Sequence, residues 1–192
     1  MPPRRLTEQQ LTDLIREVIE NARRREAMYL PRALPLSPQQ KQLVANFFPE
    51  RLLDEVRILE LKDEHLPNPP FQQRAGKGGY RMMLDFTHKA QIAHPRLIIF
   101  QQELTPRLLF HALVHVMQYA ILGLERYLDL YVRAFSQSGS YTNVPMEVQA
   151  FGLDQRFTEQ PDRVFSAEGE VRGWADNGKY VLEPTGAKKH GL

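Results

Sequence analysis

Leu108-Leu-Phe-His-Ala-Leu-Val-His-Val-Met-Gln-Tyr119 is the stretch whose reading decides the fold of this chain. Thr105, just before it, is a good helix N-cap, and Pro106 has the fixed φ that suits a first helical position. From there to Leu122 nearly every residue is apolar, which predicts a helix buried on most sides. Two imidazoles interrupt the run, His111 and His115. Four residues apart, they lie on one helix face a turn from each other, close enough to hold one metal ion. An unpaired imidazole in such surroundings is costly, so the pair needs a metal or a hydrogen-bonding acid.

Upstream, Leu97-Ile-Ile-Phe100 is a short run of β-branched and aromatic residues, and Asp54–Leu61 alternates apolar and polar side chains. Both read as strands, and a strand leading into a buried helix predicts an α+β domain, a small mixed sheet packed on that helix with further helices flanking it. Tyr80–Phe86 reads as a further strand. Residues 63–79 carry Pro67, Pro69, Pro70, Gly76, Gly78 and Gly79, a loop and a candidate lid or rim. His88 and His94 stand in polar surroundings and read as surface histidines.

Thr7–Met28 has Leu11, Leu14, Ile15, Val18, Ile19 and Ala22 at helical spacing, and Ser37-Pro38 opens a second, short helix to about Asn46. Downstream, Leu124–Phe135 is an amphipathic helix. Asn143-Val-Pro145 announces another, with the carboxylate of Glu147 in its first turn. Beyond Pro161 come short elements near Val171–Ala175 and Tyr180–Leu182, then a Gly/Lys-rich tail expected to be disordered. The chain thus divides into a helical arm (1–48), a central domain (49–160) and a C-terminal extension (161–192).

Composition narrows the function. A chain of 192 residues, 42% apolar and 25% charged, can build a core of its own. Its net charge of +2, from 25 basic and 23 acidic residues, gives no reason to invoke nucleic acid or an anionic membrane. Arg23-Arg24-Arg25, the main basic run, reads as a solvated helix face. With no Cys, a metal must be held by His and carboxylate. No apolar run approaches the ~20 residues of a membrane span. The N-terminal residues have no apolar core behind their charges, so the expected location is the cytoplasm, although the lack of Cys would also suit export.

His111-Ala112-Leu113-Val114-His115 resembles the His-Glu-x-x-His signature of zinc-dependent metallopeptidases. With Glu147 on a later helix, and Gln118 one turn after the second His, the chain resembles the gluzincin group, and small bacterial gluzincin-like domains in particular, over roughly residues 50–157. The resemblance implies a zincin-like fold, a zinc ion held by His111, His115 and Glu147 with water in the fourth position, and a peptide or protein substrate. It also implies that Leu97, Ile98, Ile99 and Phe100 form an edge strand that pairs with that substrate through unpaired backbone groups; the residues alone equally fit a core strand with no partner. Asp154 and Glu125 are candidates to orient the imidazoles, and Tyr131 or Tyr141 to stabilise an oxyanion. Nitrogen and oxygen donors without sulfur suit zinc, and admit iron, cobalt or nickel.

The departure is Ala112, which stands where the family has its general-base Glu. Losing a general acid–base group costs ~10²–10⁴-fold, so the chain as written is expected to bind metal and peptide and to hydrolyse poorly or not at all. Ala112 is either a Glu→Ala change that traps an otherwise active peptidase or the mark of a natural pseudopeptidase; the intact remainder of the motif favours an active parent. Two metal-free alternatives stay open: core histidines hydrogen-bonded to Glu147, and a partner-binding module that uses the first amphipathic helix and helix 124–135.

Overall fold

The structure is a computed structural model that describes residues 6–62, 64–69, 72 and 86–180, His88 by its backbone alone. Helix α1 (Glu8–Tyr29) opens with a capping box in which Thr7 and Gln10 satisfy each other's backbone groups. Strand β1 (Leu34–Pro35) follows. Helix α2 (Pro38–Val44) is capped in the same way by Ser37 and Gln40, and α3 (Glu50–Glu55) starts after Pro49. Strands β2 (Arg57–Glu60), β3 (Gln91–Ala93) and β4 (Leu97–Phe100) lead to helices α4 (Pro106–Leu122), α5 (Leu124–Ser138), α6 (Pro145–Glu159) and α7 (Ala167–Asp176). The architecture is α+β.

The strand expected over Asp54–Leu61 begins later than its alternation suggests. Asp54 and Glu55 close α3, whose Leu52 and Leu53 are buried, and the ladder starts only at Arg57. Of the strand expected at Tyr80–Phe86, residues 80–85 lie outside the described residues, and Phe86 opens a short 3-10 turn. The loop over 63–79 is described only at 64–69 and 72, and the element expected at Tyr180–Leu182, like the tail, lies beyond the described residues except for Tyr180.

The four strands are ordered β1-β2-β4-β3, with β2 and β4 parallel and the outer pairings antiparallel. This corrects the edge assigned to Leu97–Phe100. Strand β4 is paired on both sides, and all four of its residues have zero exposure. Its side chains divide by the strand period of two: Ile98 and Phe100 join the main core, while Leu97 and Ile99 pack with Leu59, Leu61 and Leu66 on the other face. Burying each such side chain contributes ~1.5–3 kcal/mol, which favours the centre of the sheet for a strand that is apolar on both faces.

Among the described residues the edges are β1 and β3. His94 N–H donates to Leu97 O at 2.7 Å and Gln101 N–H to Ala90 O at 2.9 Å, so residues 90, 92 and 94 turn their backbone groups toward β4. By alternation, Gln91 and Ala93 turn theirs outward.

Buried residues from Leu11 to Trp174 share one main core, so α1, the sheet and α7 pack around the same centre. Helix α4 lies in its middle, with 12 of its 17 residues buried. Its start is the one read from the sequence: Thr105 Oγ1 accepts the Leu108 N–H at 3.2 Å, with Pro106 in the first turn. It ends at Gly123, whose φ of 78° is strained for any side-chain-bearing residue and lets α5 leave at 115°. Helix α1 runs along α5, tied by Arg23–Glu125 and Arg133–Glu8. The apolar faces of these two helices are therefore spent inside the molecule. Among the described residues, no single helix is long and apolar enough to cross a membrane.

Candidate metal centre

His111 and His115 reach the same point from successive turns of α4, and Glu147 meets them from the first turn of α6. The Nε2 atoms of the two imidazoles are 3.0 Å apart, and Glu147 Oε2 lies 3.4 Å from the first and 3.3 Å from the second. All three side chains are buried. A tetrahedral zinc with ~2.0–2.1 Å bonds needs ligand atoms about 3.3 Å apart, so the triangle has the size of one face of that tetrahedron.

The surrounding hydrogen bonds decide where the protons are. Asp154 Oδ2 accepts from His111 Nδ1 at 2.8 Å, and Arg107 holds the other carboxylate oxygen at 2.9 Å through Nη2. Gln118 Nε2 donates to Met146 O at 3.0 Å and to Gln149 Oε1 at 2.9 Å, which fixes its amide so that Oε1 faces His115 Nδ1 at 2.9 Å. That nitrogen must then be the N–H, with the Tyr127 hydroxyl 3.1 Å away as a second neighbour. Tyr131 donates to Glu147 Oε1 at 2.7 Å, leaving Oε2 without a hydrogen-bond partner. Each ligand is therefore braced on its outer atom and offers a lone pair from its inner one. Three lone pairs converging in a buried site repel unless a cation or a proton sits among them, and the donor set fits a divalent metal.

With no ion present, the electrostatics favour a proton shared between imidazole and carboxylate. Burial alone would raise the pKa of Glu147, but the imidazoles of His115 and His111 outweigh it and hold the carboxyl well below its usual range. Burial works against protonation of His111, yet its bonds to Asp154 and Glu147 prevail and raise its pKa. Tyr127, Tyr131 and Tyr141 are pushed up by burial first and by the Glu147 charge second or third, so all three remain neutral donors near the site.

Not every residue expected near the centre is there. Asp154 takes the orienting role, whereas Glu125 pairs with Arg23 on the surface. Tyr131 and Tyr141 both interact with Glu147. Ala112 is completely buried among the apolar residues of α4's surroundings, and its methyl group offers nothing to move a proton. His94 is not the surface residue its neighbours suggest; it is 2% exposed. Arg25 likewise departs from the solvated face expected for the basic run, lying buried with its guanidinium 3.8 Å from the centre of the Phe86 ring.

Sequence reasoning missed Arg107 and Tyr127. Arg107 looks like an ordinary first-turn residue, and Tyr127 lies on a different helix, so no local spacing marks either. It also missed β3, whose three residues are too few to show a period.

An open cleft of about 710 Å³ passes over His111 and Asp154, between Leu108, Arg107 and Phe151 on the helices and Ala90 and Gln91 at β3. Compared with known protein families, characterised proteins and solved structures, the chain matches none.

Proposed function

We propose that the chain is a metal-dependent, peptide-binding protein built on a metallopeptidase-type site, with zinc as the resident ion and hydrolysis suppressed by Ala112. The observation that carries this reading is the convergence of three buried, outwardly braced donor atoms near β3, an edge strand of the sheet among the described residues. His111, His115 and Glu147 hold the ion; Asp154 and Gln118 keep both imidazoles in the tautomer that presents Nε2. An ion held there would polarise a carbonyl and lower the pKa of a water to ~7. The outward backbone groups of Gln91 and Ala93 can pair with an extended peptide, taking the role that the resemblance assigns to Leu97–Phe100. Arg107 and Lys89 flank the cleft as cations, and Tyr141 lines it as a neutral hydroxyl donor.

Replacing Ala112 with Glu tests the reading. In the zinc-loaded protein this change is expected to raise cleavage of a mixed peptide library by ~10²–10⁴-fold over the parent chain. A variant that retains one zinc per chain and gains no cleavage would favour the binding-only form, in which the site captures peptides without cutting them.

A further inference from the structure

His115 and Glu147 also line a second cavity, of about 110 Å³, separate from the open cleft. Lys89, Gln91 and Tyr141 border both spaces and so mark their junction. Away from the junction the walls are mostly apolar: Val18 of α1, Ile92 of β3, and Leu128 and Val132 of α5, with the rings of Tyr119, Tyr127 and Tyr131. Leu128, Val132 and Tyr119 are buried core residues, whereas Val18, Phe86 and Ile92 are partly exposed. Among the described residues, the charged groups lining it are Glu147, at the triad, and Lys89, at the junction.

We propose that α1 is part of the ligand site, with Val18, Leu128 and Val132 forming a specificity pocket for one apolar side chain of a peptide held at the triad. This rests on the metal-site reading. The occupant is set by size and polarity. An apolar cavity of ~150 Å³ takes up benzene, so a space of this order accepts a branched aliphatic group or a phenyl ring and excludes a charged one. Continuity with the triad sets the orientation, because a ligand whose carbonyl lies at His115 and Glu147 has its neighbouring side chain at the mouth of the pocket. The α1–α5 packing holds Val18 in place, so the N-terminal helix selects ligands as well as completing the core.

The test uses the full chain loaded with zinc and two probes that share one metal-binding head, acetohydroxamate and benzohydroxamate. Calorimetry gives their affinities, and methyl NMR follows Val18, Leu128 and Val132. The phenyl probe is expected to bind ~10–100-fold more tightly and to shift those three methyl signals, as burial of one such group implies. Val18→Trp, which fills the pocket, should abolish that advantage while leaving zinc content and acetohydroxamate binding unchanged. Leu128→Phe narrows the pocket from α5 and should weaken the phenyl probe in the same direction. Equal affinities for the two probes, or a phenyl advantage that survives both substitutions, would overturn the pocket. Toluene offered to the metal-free protein separates the two readings. Shifts of the same methyls in a chain that takes up no zinc would leave the pocket standing and the metal site refuted, and no shifts in a chain that binds zinc would do the reverse.

Discussion

Two places among the described residues bury imidazoles, and they are built in opposite ways. At the triad, His111 and His115 each bond outward to a fixed acceptor, and their inner nitrogens lie 3.0 Å apart beside Glu147 Oε2, which has no hydrogen-bond partner. At the β3–β4 turn, His94 is also buried, yet neither of its ring nitrogens has a partner and the nearby charge, Arg25, is of the wrong sign to help it ionise. The first arrangement is a set of donor atoms that could hold a cation. The second is one neutral ring tolerated in the core, with its pKa pushed down to about 3 by burial first and by Arg25 second. An unpartnered buried atom is therefore informative only when others converge on the same point and the rest of each ring is held.

The sharpest way to break this contrast is to remove one donor from each place. His115→Ala should lower metal affinity more than ~100-fold, beyond the range for changes to the supporting groups, as measured by competition with a chelating indicator. Asp154→Asn keeps the shape and removes the charge behind His111, and the same titration should show a loss of ~10–100-fold.

His94→Leu should leave metal affinity at pH 7 untouched and change the acid stability instead. Unfolded, the ring takes a proton near pH 6.5; folded, it resists until about pH 3. Its neutral burial therefore contributes fully above pH 6.5, and that contribution is lost as the pH falls toward 3. At pH 5 the parent should have lost about 2 kcal/mol relative to pH 7 from this group, a slope that denaturant titrations of His94→Leu should lack. A metal titration that responds to His94→Leu as strongly as to Asp154→Asn would erase the distinction between the two places. The smallest effect is expected at Glu125→Gln, where an exposed pair with Arg23 is worth at most ~1 kcal/mol and the metal site should not respond.

The parts of this architecture written in short-range chemistry were legible before any fold was seen. Thr105 and Pro106 define the start of α4, the i, i+4 spacing places His111 and His115 together, and Pro145 sets Glu147 and Asp154 on a helix that can face them. What stayed hidden depends on contacts distant in sequence. The resemblance puts Leu97–Phe100 at an edge, whereas the strand, apolar at every position, takes the core place that its residues equally allow. Arg25 sits in a basic run that looks solvated, and only its packing over Phe86 against the β3–β4 turn explains its burial. Gln118 could be aligned with a pattern, but its work, fixing the His115 tautomer through Met146 and Gln149, appears only when α4 meets α6.

Metal content bears most directly on the central claim, measured by elemental analysis on protein purified without metal-affinity resin, with His115→Ala prepared alongside. The account predicts close to one zinc, or another divalent transition metal, per parent chain and almost none in the variant. No metal in the parent even after incubation with zinc would contradict it, and would leave His111, His115 and Glu147 as a buried hydrogen-bonded cluster sharing a proton.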